Sequence, residues 1–472
     1  MTRGHPSERT VIPTSSAGKS LYPPFQNLNT SGGLPGMRKT IAAVTTAGLA
    51  LALAACGEST PTTPAGSASA PAAKTLEGVT IEVAAKWTGA EQTNFQEVLK
   101  AFEAKTGAKV TYASTGEDTG AYLGPRIEGG NPPDIAILPQ PGLVQQYADQ
   151  KALKPLTAEV QKQIDDNYTP YWKELGSAGG QSYGVLVKAA HKSLIWYRDQ
   201  AFQDAGVQPP ATWDDLVKAA QTIADSGTPP FSLCGASGWT LTDLFENVYL
   251  SSAGPENYTK LSKHEIPWTD PSVTTALEKI GQLVGKKEFL LGGSSGALQT
   301  DFPTCVTQVY GQDKSAMVIE ADFVGTTAEE SGAKLGEEAK YFPFPKAGDT
   351  EPVVLGGDIA VVLKDSKGAM ALLEFLASKE GGEIWAKLPG YLSPNRNVSP
   401  DNYPAELTKQ LAQTIISAGD AVRYDMSDLA PSAFGGTDGK GQWKLLQDFV
   451  RDPSDIKGIQ TKLEAEAKKA WK

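Results

Sequence analysis

The sequence predicts an α/β protein of two lobes, on three observations. Short strand patterns alternate with helical ones along the chain, which is how a parallel sheet wrapped by helices reads. One strand run, Asp134-Ile135-Ala136-Ile137-Leu138, is apolar enough to be buried on both faces. And roughly 400 residues of such pattern exceed one comfortable core, so the chain should divide. No period of about 20–50 residues recurs, which excludes solenoids and propellers.

The elements follow in order. Val79-Thr80-Ile81-Glu82-Val83 alternates apolar and polar residues and is a strand. Phe95, Val98, Leu99 and Phe102 then recur at helical spacing, and Gly107 stops that helix. Val110-Thr111-Tyr112 is the second strand and 134–138 the third. Leu194-Ile195-Trp196-Tyr197 is another strand. In Thr212-Trp213-Asp214-Asp215 a capping box opens a helix lined by Leu216, Ala220 and Ile223. Ala316-Met317-Val318-Ile319 and Ile359-Ala360-Val361-Val362-Leu363 are later strands, and a helix over 366–377 buries Leu372, Leu373 and Leu376. A charged helix closes the chain at Trp471-Lys472. Trp172, Trp196, Trp213, Trp385 and Trp443 lie in amphipathic patterns and are assigned to packing.

Charge narrows the function classes. The 472 residues carry a net charge of −11, which argues against nucleic acid as partner. Residues 1–55 hold five basic groups and one acidic group, leaving −15 on 56–472. The front end is thus chemically distinct. Met37-Arg38-Lys39 opens a positive segment, Ile41 to Ala55 is uncharged and mostly apolar, and Leu53-Ala54-Ala55-Cys56-Gly57 looks like a bacterial lipobox with Cys56 as the lipidated residue. Fifteen such residues are too few to span a bilayer. The expected organisation is an extension over 1–36 preceding the true initiator Met37, a signal peptide over 37–55, and a lipid-anchored, Ser/Thr/Pro-rich tether over 56–75. The work is then done outside the cell, at the outer face of its membrane. Cys234 and Cys305, the remaining cysteines, are expected to form one disulfide in that oxidising compartment, the rival being two buried thiols.

Much chemistry is missing. Behind the signal only His191 and His264 remain, and no Cys/His cluster has metal spacing, so no metal and no cofactor is expected. Gly292-Gly293-Ser294-Ser295-Gly296 matches G-x-S-x-G, but no histidine follows position 264 to complete a triad, and the stretch reads as a loop. No phosphate-binding glycine motif follows a strand. The pairs Glu117-Asp118 and Glu320-x-Asp322 could serve a secreted glycoside hydrolase; kept ionised, they equally accept hydrogen bonds from sugar hydroxyls. A polysaccharide-binding surface lipoprotein is a third class.

The chain from about Leu76 to Lys472 resembles the extracellular solute-binding proteins of bacterial carbohydrate ABC importers. The resemblance rests on Asn131-Pro132-Pro133-Asp134-Ile135, Ala148-Asp149-Gln150-Lys151-Ala152-Leu153, Tyr183-Gly184-Val185, Pro210-Ala211-Thr212-Trp213-Asp214-Asp215-Leu216, Glu320-Ala321-Asp322-Phe323-Val324, Phe342-Pro343-Phe344-Pro345, Gly356-Gly357-Asp358 and Gly390-Tyr391-Leu392-Ser393-Pro394-Asn395, in that order. Similarity to the α-glucoside branch rests on Phe231-Ser232-Leu233-Cys234, Ala253-Gly254-Pro255-Glu256-Asn257-Tyr258, His264-Glu265-Ile266-Pro267-Trp268 and Asp425-Met426-Ser427-Asp428. The resemblance implies a two-lobed, type II periplasmic-binding-protein-like fold with a hinged ligand cleft. It implies a monomeric, non-enzymatic protein that hands an α-glucoside or short oligosaccharide to an ABC permease. It puts 76–187 and 358–395 in one lobe and 188–357 and 396–472 in the other, with crossings near 185–190, 355–358 and 392–396.

A sugar site needs planar hydrogen-bonding groups at the hydroxyl rim and aromatic plates against the C–H faces. The candidates are Trp87, Thr88 and Glu91 after the first strand, Glu117 and Asp118 in a Gly-rich loop, and Gln140 after the third strand. Trp239 and Asp243, Glu320 and Asp322, Asp358, Tyr391, and Arg423 with Asp425 complete the set. A core Trp is the rival reading for Trp87, a solvated turn for Glu117 and Asp118, and a structural ion pair for Arg423 and Asp425.

Overall fold

A computed structural model describes residues 75–472 apart from 117 and 418–421. Cys56, the segments 1–36 and 37–55, the tether up to residue 74 and the candidate Glu117 lie outside the described residues. The strands are β1 (Thr80–Ala85), β2 (Lys109–Ser114), β3 (Ile135–Leu138), the hairpin β4 (Ser177–Ala178) and β5 (Gln181–Ser182), β6 (Gly184–His191), β7 (Leu194–Arg198), β8 (Met317–Ile319), β9 (Ala339–Pro343), β10 (Val354–Val362) and β11 (Arg423–Tyr424).

Two sheets form the two lobes. The first runs β11-β10-β3-β1-β2, with β6 also on β10; the second runs β8-β7-β9. The parallel sheet expected from the pattern holds for β1, β2 and β3, and for β11 on β10. It does not hold for β10, which lies antiparallel on β3 and β6, nor for the second sheet, where both pairs are antiparallel. The long helical excursion between β7 and β8 lets the chain return in either direction, so periodicity cannot fix strand sense there.

Local chemistry explains the elements. All four residues of β3 are buried. The helix Gly89–Thr106 buries Phe95, Val98, Leu99 and Phe102, and Gly107 ends it in the left-handed region at φ 79°. Thr212 Oγ1 caps the helix Trp213–Asp225 by accepting the Asp215 amide at 3.2 Å and donating to Asp215 Oδ2 at 2.8 Å. Cys234 and Cys305 are joined in a disulfide across a Cα–Cα distance of 5.4 Å. The stretch 292–296, expected as a loop, lies mostly in a short helix, Gly293–Ala297.

The crossings set the hinge. The chain leaves the first sheet between β6 and β7, where Lys192 N donates to Val354 O at 2.9 Å, and returns into β10 at Val354. The expected edges at 187/188 and 357/358 thus fall inside strands. The third crossing is not at 392–396. Ala189 N donates to Leu392 O at 2.9 Å, and Tyr403, Leu411, Ile415 and Tyr424 pack into the continuous core that joins the first sheet to Trp196 and Val318 of the second. Pairing of β11 on β10 (Val354↔Arg423, Leu355↔Tyr424) holds that stretch in the first lobe. Only from Met426 do Ala430, Phe434 and Phe449 join the second core.

Candidate functional site: the cleft between the lobes

A cavity of about 210 Å³ opens where the lobes face each other. Its floor is the strand pair itself: Lys188 and Ala190 of β6, Lys192 just beyond, and Gly357 and Asp358 of β10. The first lobe contributes Lys86, Trp87, Thr88 and Glu91 after β1, Asp118 before the next helix, and Gln140 after β3. These are loops at the carboxyl ends of strands, where open α/β sheets keep ligands. The second lobe contributes Trp239, Phe302, Phe323, Thr326 and Glu330, and the segment after β11 adds Asp425, Ser427, Asp428 and Trp443.

The second-lobe wall is aromatic. Trp239 lies 5.8 Å from Phe302 and 6.1 Å from Phe323, and Phe302 meets Phe323 edge-on at 5.3 Å. All three rings are half-buried, so apolar area remains for a ligand. Opposite them, Trp87 is anchored by Phe95 at 5.0 Å and Trp385 at 5.5 Å. The indole N–H groups of Trp87 and Trp443 are buried without a protein acceptor, two donors at the cavity whose natural partner is a ligand hydroxyl or water.

The floor is charged but internally paired. Lys188 is bound to Glu91 and stands over the Trp87 ring at 5.5 Å; Lys86 reaches Asp358 at 3.8 Å. Lys192 contacts Asp425 at 2.5 Å, Asp243 at 3.2 Å and Asp428 at 3.5 Å. Burial works against both buried ammonium groups, yet the facing carboxylates lift each above its ordinary value, so both stay charged. Burial likewise opposes ionisation of Asp425, but Lys192 holds its carboxyl well below the usual range. Asp428, buried and repelled by Asp425, is pushed up to about 7.

Of the residues singled out by sequence, Trp87, Thr88, Glu91, Asp118, Gln140, Trp239, Asp358 and Asp425 come together around the cavity. Five others do not line it. Asp243 lies beneath the floor on Lys192. Glu320 is fully buried, its Oε2 accepting the Ala321 amide at 3.1 Å. Asp322 turns away to accept the His191 amide at 2.6 Å and borders a separate cavity with Trp196 and Leu411. Tyr391 stacks on Trp385 at 4.4 Å and donates to Val187 O. Arg423 donates to Pro255 O at 3.2 Å and Thr259 Oγ1 at 3.1 Å, a structural role. Acids near a crossing are drawn either to the cleft or to the lysine and amide groups packing the hinge, and sequence does not separate these. Conversely, Lys86, Lys188, Lys192, Phe302, Phe323, Glu330 and Trp443 were missed. Trp443, assigned to packing by its helical pattern, lines the cavity instead and packs against Gly238, where a Cβ would stand 2.8 Å from the Trp443 Cβ.

With this geometry in view, residues 86–383 match the family model of the bacterial extracellular solute-binding proteins. The chain belongs to that family. Within it, the chain is 32% identical over 412 residues to the alpha-glucosides-binding periplasmic protein AglE of Rhizobium meliloti, covering 84% of this chain and 88% of that protein. It is 31% identical to the osmoprotective compounds-binding protein GgtB of Synechocystis, covering 77% and 86%. Among solved members, the bacterial solute receptor AcbH superposes with a TM-score of 0.72 at 20% identity, over 83% of this chain and 99% of that one. RafE in complex with raffinose gives 0.68 at 17%, over 84% and 100%. These structures share the two-lobed fold. Among the described residues, no helix is long and apolar enough to cross a membrane, and no group of ligating side chains is arranged for a metal ion.

Proposed function

We propose that this protein is the extracytoplasmic binding component of a carbohydrate ABC importer and that it captures a neutral α-linked glucoside, a disaccharide or short oligosaccharide, without breaking any bond in it. The observation that carries the reading is the pairing of an aromatic wall with a cavity whose lysines, Lys86, Lys188 and Lys192, are each already paired with carboxylates. The apolar rings suit sugar C–H faces. The rim offers Glu91, Asp118 and Gln140 to hydroxyls, and the floor offers Asp358. No floor lysine is left over to hold a phosphate or a uronate. The likeness to AglE supports the α-glucoside, and Cys56 with its tether supports anchoring beside a permease.

A melting scan tests this. Trehalose, maltose, sucrose and maltotriose are expected to include at least one that raises the melting temperature, with stabilisation approaching about 2.7 kcal/mol at a hundred times Kd. Glucose 6-phosphate and a glucuronide are expected to give no shift. Silence from all four neutral sugars, or release of free glucose from them, would sink the reading. For the anchor, Cys56→Ala is expected to move the protein from the membrane fraction to the medium on cell fractionation.

A further inference from the structure

Glu330 ends the helix Val324–Glu330 of the second lobe, yet its only described side-chain partner is on the first. Its Oε1 accepts the Ala90 amide at 2.6 Å. Ala90 is in the opening turn of the 18-residue helix Gly89–Thr106, and Thr88, the residue that should cap this helix, supplies no side-chain hydrogen bond. A carboxylate from the opposite lobe therefore satisfies an amide that the helix leaves open, at its electropositive end. Gly89 makes room: its φ is 57°, and a Cβ there would stand 2.8 Å from the same carboxylate oxygen. Thr88, Gly89 and Glu330 all line the cavity, so the contact joins the two lobes at its wall.

We propose that Glu330 is a latch. The bond to Ala90 forms when the lobes close and breaks when they part, so it governs how long the sugar stays rather than how fast it enters. The carboxylate is a positioning group acting through the lobes, not a ligand contact. The inference rests on the sugar-binding reading above and adds a residue to it.

The test is stopped-flow binding of whichever neutral disaccharide gives the largest melting shift, with wild type, Glu330→Ala and Glu330→Gln. A charge-assisted hydrogen bond lost from the closed state only should raise koff about tenfold in Glu330→Ala, less in Glu330→Gln, and leave kon within about twofold. Glu330 is exposed, so the ligand-free melting temperature should not move. An unchanged koff, or a lower ligand-free melting temperature with koff intact, overturns the latch. Should no sugar bind, the functional reading fails by itself and the latch is read from the balance of open and closed molecules by small-angle scattering. A more open average in Glu330→Ala than in wild type supports the latch; identical scattering from the two proteins overturns it.

Discussion

Lys192→Met is expected to lower the unfolding free energy by about 3–5 kcal/mol in a urea titration, the cost of stripping one partner from a buried ion pair. The partners of Lys192 come from distant stretches of the chain. Lys192 sits at the first crossing, Asp425 at the third, Asp243 on the helix Trp239–Ser262 and Asp428 just past the third crossing. One ammonium thus joins chain segments that share no strand pairing. Lys192 and Asp425 are 9% and 0% exposed, so water cannot replace the lost charge. The loss stops short of three full penalties because Asp243 and Asp428, whose carboxyls burial already pushes up, can take protons instead. Two consequences follow. The variant should lose less at pH 5 than at pH 8, where the carboxylates must stay ionised. And Lys192→Met/Asp425→Asn should recover part of the loss, giving a coupling energy above about 1 kcal/mol in the double-mutant cycle. Strict additivity of the two substitutions would show that the network does not bind the crossings together.

That network also marks where sequence reading ends. The alternation that identified β1, the apolar run that identified β3 and the helical spacing that identified Gly89–Thr106 are local, and local patterns survive folding. The crossings are not local. Lys188 lies in β6 and Lys192 just beyond it, in a stretch that no local pattern singled out, and the partner that keeps Lys192 charged lies 233 residues away. The residues of the aromatic wall, Trp239, Phe302 and Phe323, come from three separate helix starts and turns, none amphipathic enough to announce a shared face. The first-lobe rim was legible because Trp87, Thr88, Glu91 and Gln140 directly follow strands, and sheet topology alone puts such loops at the cleft. The third crossing was misplaced because the two-residue strand β11 is too short to show any period.

Stability is expected to peak on the acid side of neutrality, with a melting temperature several degrees higher at pH 5.5 than at pH 7.5. Glu320, Asp322 and Asp428 are each pushed to about 7, chiefly by burial, against unfolded values near 4. A carboxyl whose folded pKa is raised binds its proton more tightly in the native state, so its stabilisation is complete below the unfolded value and is lost as pH rises through 7. His191 acts in the opposite sense. Burial lowers it to about 4 from 6.5, so the stability it contributes above 6.5 is lost as pH falls toward 4. Each group carries about 1.4 kcal/mol per pH unit inside its own window. Three carboxyls outweigh one imidazole between pH 5 and 6.5, and above 6.5 the imidazole drops out while the carboxyls go on losing. Asp425, held far below its ordinary range, stays ionised throughout and contributes no slope there. Asp322→Asn isolates one contributor. The amide can keep the Oδ1 bond to the His191 N–H yet cannot titrate, so the pH 5.5 to 7.5 difference should shrink by less than a third, since burial also raises Asp243, Glu246 and Asp358, while stability at pH 7.5 rises. A wild-type melting temperature that climbs steadily from pH 5.5 to 7.5 would mean that these carboxyls are ionised in the folded protein and that the hinge is solvated where the structure makes it dry.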